Sequence, residues 1–322
     1  MISPIFIFSL PRSGSTLLQR VLMSHKDIAS VAEPWLMLPF CYAYKKEGVL
    51  TEYAHNVSYE AFKDFIDNLP NKENDYYEAL GEFAKTLYKK HCLNNEIYFL
   101  DKTPRYIYII PQIAKIFPRA KFIFLFRNPV HVMSSMMQTW CEGRFKKMYS
   151  YEMDLNRGFK ALSKGFELLK DRSYAIQYET FVTNPKKYTS EICEYLNLKF
   201  DSNMIDNFSI QDTKGRMGDP TGVREYKKID VRSLDKWKKT FNTSFRKKYL
   251  KKYIMGIDEK YFKIQGYEKE EIIYEIDNLV TFKRYEIQDR IDLLYSNLVR
   301  VLKPNIWFGK TTKKWARNRF LS

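Results

Sequence analysis

Apolar residues between Ile5 and Leu10 form a short β-rich run that stops at Pro11, and the denser apolar pattern of Thr16–Met23 predicts a helix. Between them lies the loop Ser9-Leu10-Pro11-Arg12-Ser13-Gly14-Ser15-Thr16. A strand, a small-residue loop and a helix in that order open a parallel α/β sheet. Further strands are expected at Ser30–Ala32, Ile97–Leu100, Lys121–Phe126 and Tyr174–Gln177, each followed by a helix signal. The stretch Phe122–Phe126 is apolar without interruption, as in a strand covered on both faces, and Pro129 suits the first turn of a helix running to about Trp140. Residues 41–96 read as two or three helices, the clearest at Tyr59–Asn68 and Tyr76–His91, and from Ser233 onward the pattern is helical, ending in a long segment at about Glu268–Leu302. The expected fold is therefore α/β: a central parallel sheet, a helical insertion after the second strand and a mostly helical C-terminal third.

Composition narrows the class. With 45% hydrophobic and 16% aromatic residues among 322, the chain can bury a sizeable core and is not a disordered protein. No apolar run approaches the roughly 18 residues of a membrane span. Met1 leads almost directly into the first strand without a basic leader, so a cytoplasmic protein is expected. Cys41, Cys92, Cys141 and Cys193 form no CxxC pair, and His25, His55, His91 and His131 form no HExxH spacing. Free thiols, mostly buried, and no metal are the expectation.

The loop at Arg12 carries candidate chemistry. Backbone amides at a helix N-terminus bind anions, and here Ser13, Gly14, Ser15 and Thr16 supply amides and hydroxyls while Arg12 adds a fixed charge. It is not a GxxxxGK[ST] nucleoside-triphosphatase loop, because no Lys directly precedes the Ser/Thr. A plain strand-to-helix turn capped by Ser13 would look the same in isolation. A second feature points the same way: Arg127 closes an apolar strand and Ser135 follows eight residues on, so both can face the sheet edge where ligands of open α/β sheets bind. A guanidinium with a hydroxyl suits a second phosphate monoester.

These residues resemble the sulfotransferases that use 3′-phosphoadenosine 5′-phosphosulfate (PAPS). Pro11-Arg12-Ser13-Gly14-Ser15-Thr16-Leu17-Leu18 resembles that family's 5′-phosphosulfate loop, and Phe126-Arg127-Asn128-Pro129 with Ser135 resembles its 3′-phosphate element. Asp101-Lys102-Thr103-Pro104-Arg105-Tyr106 is similar to the segment of bacterial and protein-tyrosine members whose Lys approaches the sulfuryl group. Gln177-Tyr178-Glu179-Thr180-Phe181-Val182 resembles an element whose Tyr contacts the nucleotide, and Leu234-Asp235-Lys236-Trp237 a late Lys-Trp pair at the cofactor's phosphate end. Thr221, fifteen residues before Lys236, takes the place of a nucleotide-contacting Ser in the protein-tyrosine branch.

The resemblance covers about residues 3–240 and implies a P-loop-like three-layer fold, in-line transfer of a sulfuryl group and no need for a metal. The base of the cytosolic enzymes, a His after Lys-Thr, is replaced here by Pro104. The protein-tyrosine branch uses a Glu after the first crossover helix, which Ala32-Glu33-Pro34-Trp35 matches, so the resemblance makes Glu33 the base ahead of His25 and His131, with Arg12 and Lys102 stabilising charge. The plain alternative for Glu33 is a solvated residue before a helix that starts at Pro34. A sulfotransferase domain at 1–267 is expected, its insertion at 41–96 shaping the acceptor pocket, and a carbohydrate or glycolipid hydroxyl is the expected acceptor.

Charge leaves a remainder. The net charge is +16, and residues 224–322 carry 25 basic and 13 acidic side chains, so +12 of it lies there, mostly beyond the recognised region. Residues 268–322 are expected to form a C-terminal helix and a basic tail in which Trp307, Phe308, Trp315 and Phe320 interleave with cations. That tail could pack on the body or on a second subunit as a homodimer, or make peripheral membrane contact. Nucleic acid is not expected, since no RNA or DNA module is recognised. Two other functions compete with the sulfotransferase: a P-loop-like nucleotide-dependent kinase, which needs the missing Walker Lys, and a non-enzymatic basic protein that binds a membrane surface or, less readily, nucleic acid.

Overall fold

The computed structural model describes residues 2–211, 228–282 and 286–302. Five strands, β1 (Ser3–Ser9), β2 (Ile28–Ser30), β3 (Tyr98–Asp101), β4 (Lys121–Phe126) and β5 (Ser173–Gln177), form one sheet in the order β2-β3-β1-β4-β5. Every pairing is parallel, with Phe6 opposite Asp101 on one side and Phe122 on the other. All ends that lead into the candidate loops therefore lie on one edge.

Alternation of side chains divides the core in two. On one face Phe6, Phe8, Phe99, Phe122, Phe124 and Phe126 build an aromatic layer, with Phe6 and Phe122 ring centroids 6.1 Å apart and Tyr88 stacked on Phe99 at 4.3 Å. On the other, Ile5, Ile7, Leu100, Ile123 and Leu125 meet the aliphatic sides of two helices, α1 (Ser15–Leu22) and the helix Pro185–Tyr195. The result is the expected three-layer arrangement, with all five strands within a few residues of their expected places.

Three boundaries differ. The second strand ends at Ser30 and not at Ala32, and no helix starts at Pro34: Trp35 takes a left-handed φ of 55°, so the helix begins only at Met37. The insertion comprises Met37–Ala43, His55–Asp67 and Glu73–His91. The long terminal helix is two helices, Lys269–Asp277 and Ile287–Leu302. The first stops because Lys247 Nζ captures the carbonyls of Asp277 and Leu279, while Phe282 N bonds Asn242 O and turns the chain away. Cys41, Cys141 and Cys193 are buried, Cys92 is half-buried, and all four are free thiols as expected.

Candidate active site

Two left-handed residues, Arg12 (φ 66°) and Gly14 (φ 86°), shape the turn from β1 into α1. Gly14 is the N-cap, and among the described residues no side chain caps the helix. The plain-turn alternative, a cap by Ser13, is therefore not what forms: Ser13 Oγ is buried and lacks a hydrogen-bond partner among the described residues. Among the described residues, first-turn amides without a side-chain cap and an orphan hydroxyl are groups that an anion could pair. A Cβ on Gly14 would lie 2.3 Å from Tyr178 Cε2, so both the backbone angle and the close approach demand glycine.

Arg127 and Ser135 meet at this loop, though not through each other. Arg127 Nη1 donates to the Arg12 carbonyl at 2.7 Å, whereas Ser135 Oγ accepts from Arg12 Nε at 3.2 Å and Thr139 Oγ1 from Arg12 Nη2 at 3.3 Å. The Arg127 guanidinium lies 4.3 Å from the Tyr178 ring centroid, and its Nε is buried with no partner among the described residues. The Tyr178 hydroxyl bonds Ser233 Oγ at 3.1 Å. Arg127, Tyr178 and Gly14 thus form a stack at the sheet edge.

Glu179, quoted in the sequence only as part of a motif, fixes that stack. Its carboxylate accepts from Asn128 N at 3.1 Å, His131 Nδ1 at 2.9 Å and the Tyr267 hydroxyl at 2.8 Å. Burial alone would raise its pKa, yet the bond and charge of His131 with the charge of Arg127 bring it below the usual value. The Glu179 carboxylate therefore ties β4's exit loop to the start of the helix after β5.

On the other side of the loop, Lys102 Nζ lies 2.8 Å from Glu33 Oε1 and 3.4 Å from Thr16 Oγ1. Glu33 is not solvated: its side chain is 13% exposed, that of Lys102 1%, and Trp35 Nε1 donates to Glu33 Oε2 at 3.2 Å. What holds Glu33 here is Asp101, which the sequence reading did not single out. The buried Asp101 carboxylate accepts from Tyr88, Tyr106 and Thr103 hydroxyls at 2.6, 3.1 and 3.1 Å. Tyr106 and Thr103 in turn accept from Met37 N and Trp35 N, at 3.0 and 3.3 Å, and so pin the segment after Glu33. Burial outweighs these bonds and pushes the Asp101 pKa up to about 6. The signal was present, since an Asp preceding the Lys at a strand end, among Tyr and Thr, has few other uses.

Lys236 is exposed at the start of the helix Lys236–Thr240, and among the described residues no hydrogen bond or ion pair joins it to the loop. Trp237 is buried in the core. Thr221 lies outside the described residues. His25 sits just past α1, bonded to Lys199 O and Asp27 N, and His131 is committed to Glu179. Among the described residues no three His, Cys, Asp or Glu side chains converge as a metal site.

Known proteins can now be compared with this geometry. Nodulation protein NoeE of Sinorhizobium fredii is 30% identical over 136 residues, 42% of this chain and 31% of that protein. Protein-tyrosine sulfotransferase 1 of Danio rerio is 23% identical over 240 residues, 72% of this chain and 65% of that protein. The chain thus spans about a third of the first relative's length and just under two thirds of the second's. In fold, the sulfotransferase domain of the Synechococcus PCC 7002 olefin synthase superposes with a TM-score of 0.50 at 23% identity, covering 73% of this chain and 87% of that domain. Residues 4–202, more than half of the chain and including the loop, Glu33, Lys102, Arg127, Ser135 and Tyr178, match the model of the Sulfotransferase family. The chain belongs to the sulfotransferase family.

Proposed function

We propose that the protein transfers the sulfuryl group of PAPS to an acceptor hydroxyl, on a carbohydrate or glycolipid. The observation that carries this reading is the Glu33–Lys102–Thr16 chain of contacts, which sets a carboxylate and an ammonium beside the first turn of an uncapped anion-binding helix. The donor, when bound, supplies an electrophilic sulfuryl group on a phosphate leaving group. Its two phosphate ends fit the orphaned Ser13 Oγ and Arg127 Nε.

The chain's own residues then divide the work. Arg12 and the amides of residues 13–16 hold the charge that builds on the leaving oxygen. Lys102 neutralises the sulfuryl oxygens, and Glu33 takes the acceptor's proton. Arg127 and Ser135 bind the 3′-phosphate, and Tyr178, Thr221 and Lys236 complete the nucleotide site. Positioning rather than covalent catalysis supplies the rate, by analogy with phosphoryl transfer.

A sugar acceptor is supported by the half-buried Trp35 beside Glu33, a flat apolar surface next to the base. The likeness to a protein-tyrosine sulfotransferase makes a tyrosyl hydroxyl the competing acceptor. Incubating the protein with PAPS labelled on sulfur and an extract of its host, then identifying the labelled product, tests both: a labelled glycan supports the proposal, and labelled protein tyrosine replaces its acceptor.

A further inference from the structure

Surface helices ordinarily turn their apolar stripe inward. The helix Ile287–Leu302 does the reverse. Its polar side is bonded to the body: Asp292 accepts from Arg144 at 2.9 and 2.8 Å, Asp289 from Arg246 at 2.7 and 2.8 Å, and Ser296 Oγ from Tyr149 N at 3.0 Å. Two bidentate Arg–carboxylate pairs fix its rotation. Outward face Ile287, Ile291, Leu294, Leu298 and Val301, each 54–71% exposed and spaced four, three, four and three residues apart. A fold that binds carboxylates inward and leaves five aliphatic side chains in water has built a docking surface.

Charge identifies what covers it. Residues 303–322 follow directly with six Lys or Arg, no Asp or Glu, two Trp and two Phe, the composition favoured at a lipid interface. Beside the helix, Lys248 and Lys252 are exposed on a cavity of about 510 Å³ that the helix itself helps to wall through Leu293 and Arg300. Neither Lys makes an ion pair among the described residues. A second copy seated on the stripe would bring two strongly cationic segments together against their mutual repulsion. A layer of anionic lipid covers the stripe and neutralises the charge at once.

We propose that the helix Ile287–Leu302 seats the protein on an anionic lipid bilayer, with Ile287, Ile291, Leu294, Leu298 and Val301 entering the interface and Lys248 and Lys252 meeting headgroup phosphates. This goes beyond sulfuryl transfer and is independent of it, since its test does not read activity. The full chain is floated with vesicles of phosphatidylcholine alone or of phosphatidylcholine with an equal part of phosphatidylglycerol. The expected result is flotation with the anionic vesicles, about ten-fold weaker with the neutral ones, and about ten-fold weaker for Leu294→Glu/Leu298→Glu. The milder Leu294→Ala/Leu298→Ala should show a smaller loss in the same direction. These side chains face solvent, so an unchanged melting temperature is expected and checks the fold. Equal flotation of the Glu variant and the wild type would overturn the proposal by assigning binding to the basic tail. So would absence of flotation, whether the protein in solution is a monomer or, by light scattering, a dimer that covers the stripe.

Discussion

The ammonium of Lys102 is bound to Glu33 at 2.8 Å, in a pair almost closed to solvent at the mouth of the α1 loop. Neither partner is positioned by its own strand alone: β3 delivers Lys102, and the Asp101 network holds the turn that carries Glu33. Glu33→Gln keeps the shape and most hydrogen bonds but cannot take a proton. The expected outcome is binding of 3′-phosphoadenosine 5′-phosphate (PAP) within a few-fold of wild type and a fall in turnover of about 10²–10⁴-fold. Full activity in that variant would remove Glu33 from the role of base.

Gly14 is constrained twice, by φ and by the Tyr178 ring. Gly14→Ala should cost about 1–3 kcal/mol of stability and weaken PAP binding, because the ring must move or the loop must open. A thermal melt and a calorimetric titration check the two effects separately. Restored stability in Gly14→Ala/Tyr178→Ala would show that the ring is the obstacle.

Asp101 gives a pH signature. Burial raises its pKa from the ordinary 3.8 to about 6, so the native state holds a proton that the unfolded chain releases. The stability this contributes is full below about pH 4 and is lost as pH rises through about 6. It is on the order of 2–3 kcal/mol. Asp154, buried against Arg105 and also raised to about 6, acts in the same direction. Urea unfolding of wild type and Asp101→Asn at pH 4.5 and 7.5 should show wild type gaining relative to the variant at the lower pH. A pH-independent difference would contradict the raised pKa.

How far the sequence showed this fold depends on which interactions are local. The uninterrupted run Phe122–Phe126 displays a buried strand, and Arg12 to Thr16 displays a loop at a helix start, because both depend on neighbours in the chain. The site's supports are not local. Asp101 is held by Tyr88 and Tyr106, and Glu179 joins Asn128 to Tyr267 across 88 residues to the latter. The break after Asp277 depends on Lys247, and periodicity alone cannot show that the stripe of Ile287–Leu302 faces outward. Arg127 and Ser135 were legible as a pair for one phosphate, but not the link between them: both bond Arg12, Ser135 through its hydroxyl and Arg127 through the Arg12 carbonyl.

Arg127 has one guanidinium edge on the Arg12 carbonyl and an orphaned Nε. Arg127→Ala should weaken PAP about 10–100-fold while affecting adenosine 5′-phosphate, which lacks the 3′-phosphate, much less. Equal losses for both nucleotides would assign Arg127 to the loop's structure rather than to the 3′-phosphate.

The central claim is that the uncapped α1 loop and the Arg127 edge together form a site for a nucleotide with phosphates at both ends. Calorimetric titration of PAP and of ATP into the full chain, in buffer containing a magnesium chelator, tests it most directly. Binding of PAP in the micromolar range or tighter, lost in Arg12→Ala, with no detectable heat from ATP, is the predicted result. No binding of PAP, or ATP binding as tight as PAP, would contradict it.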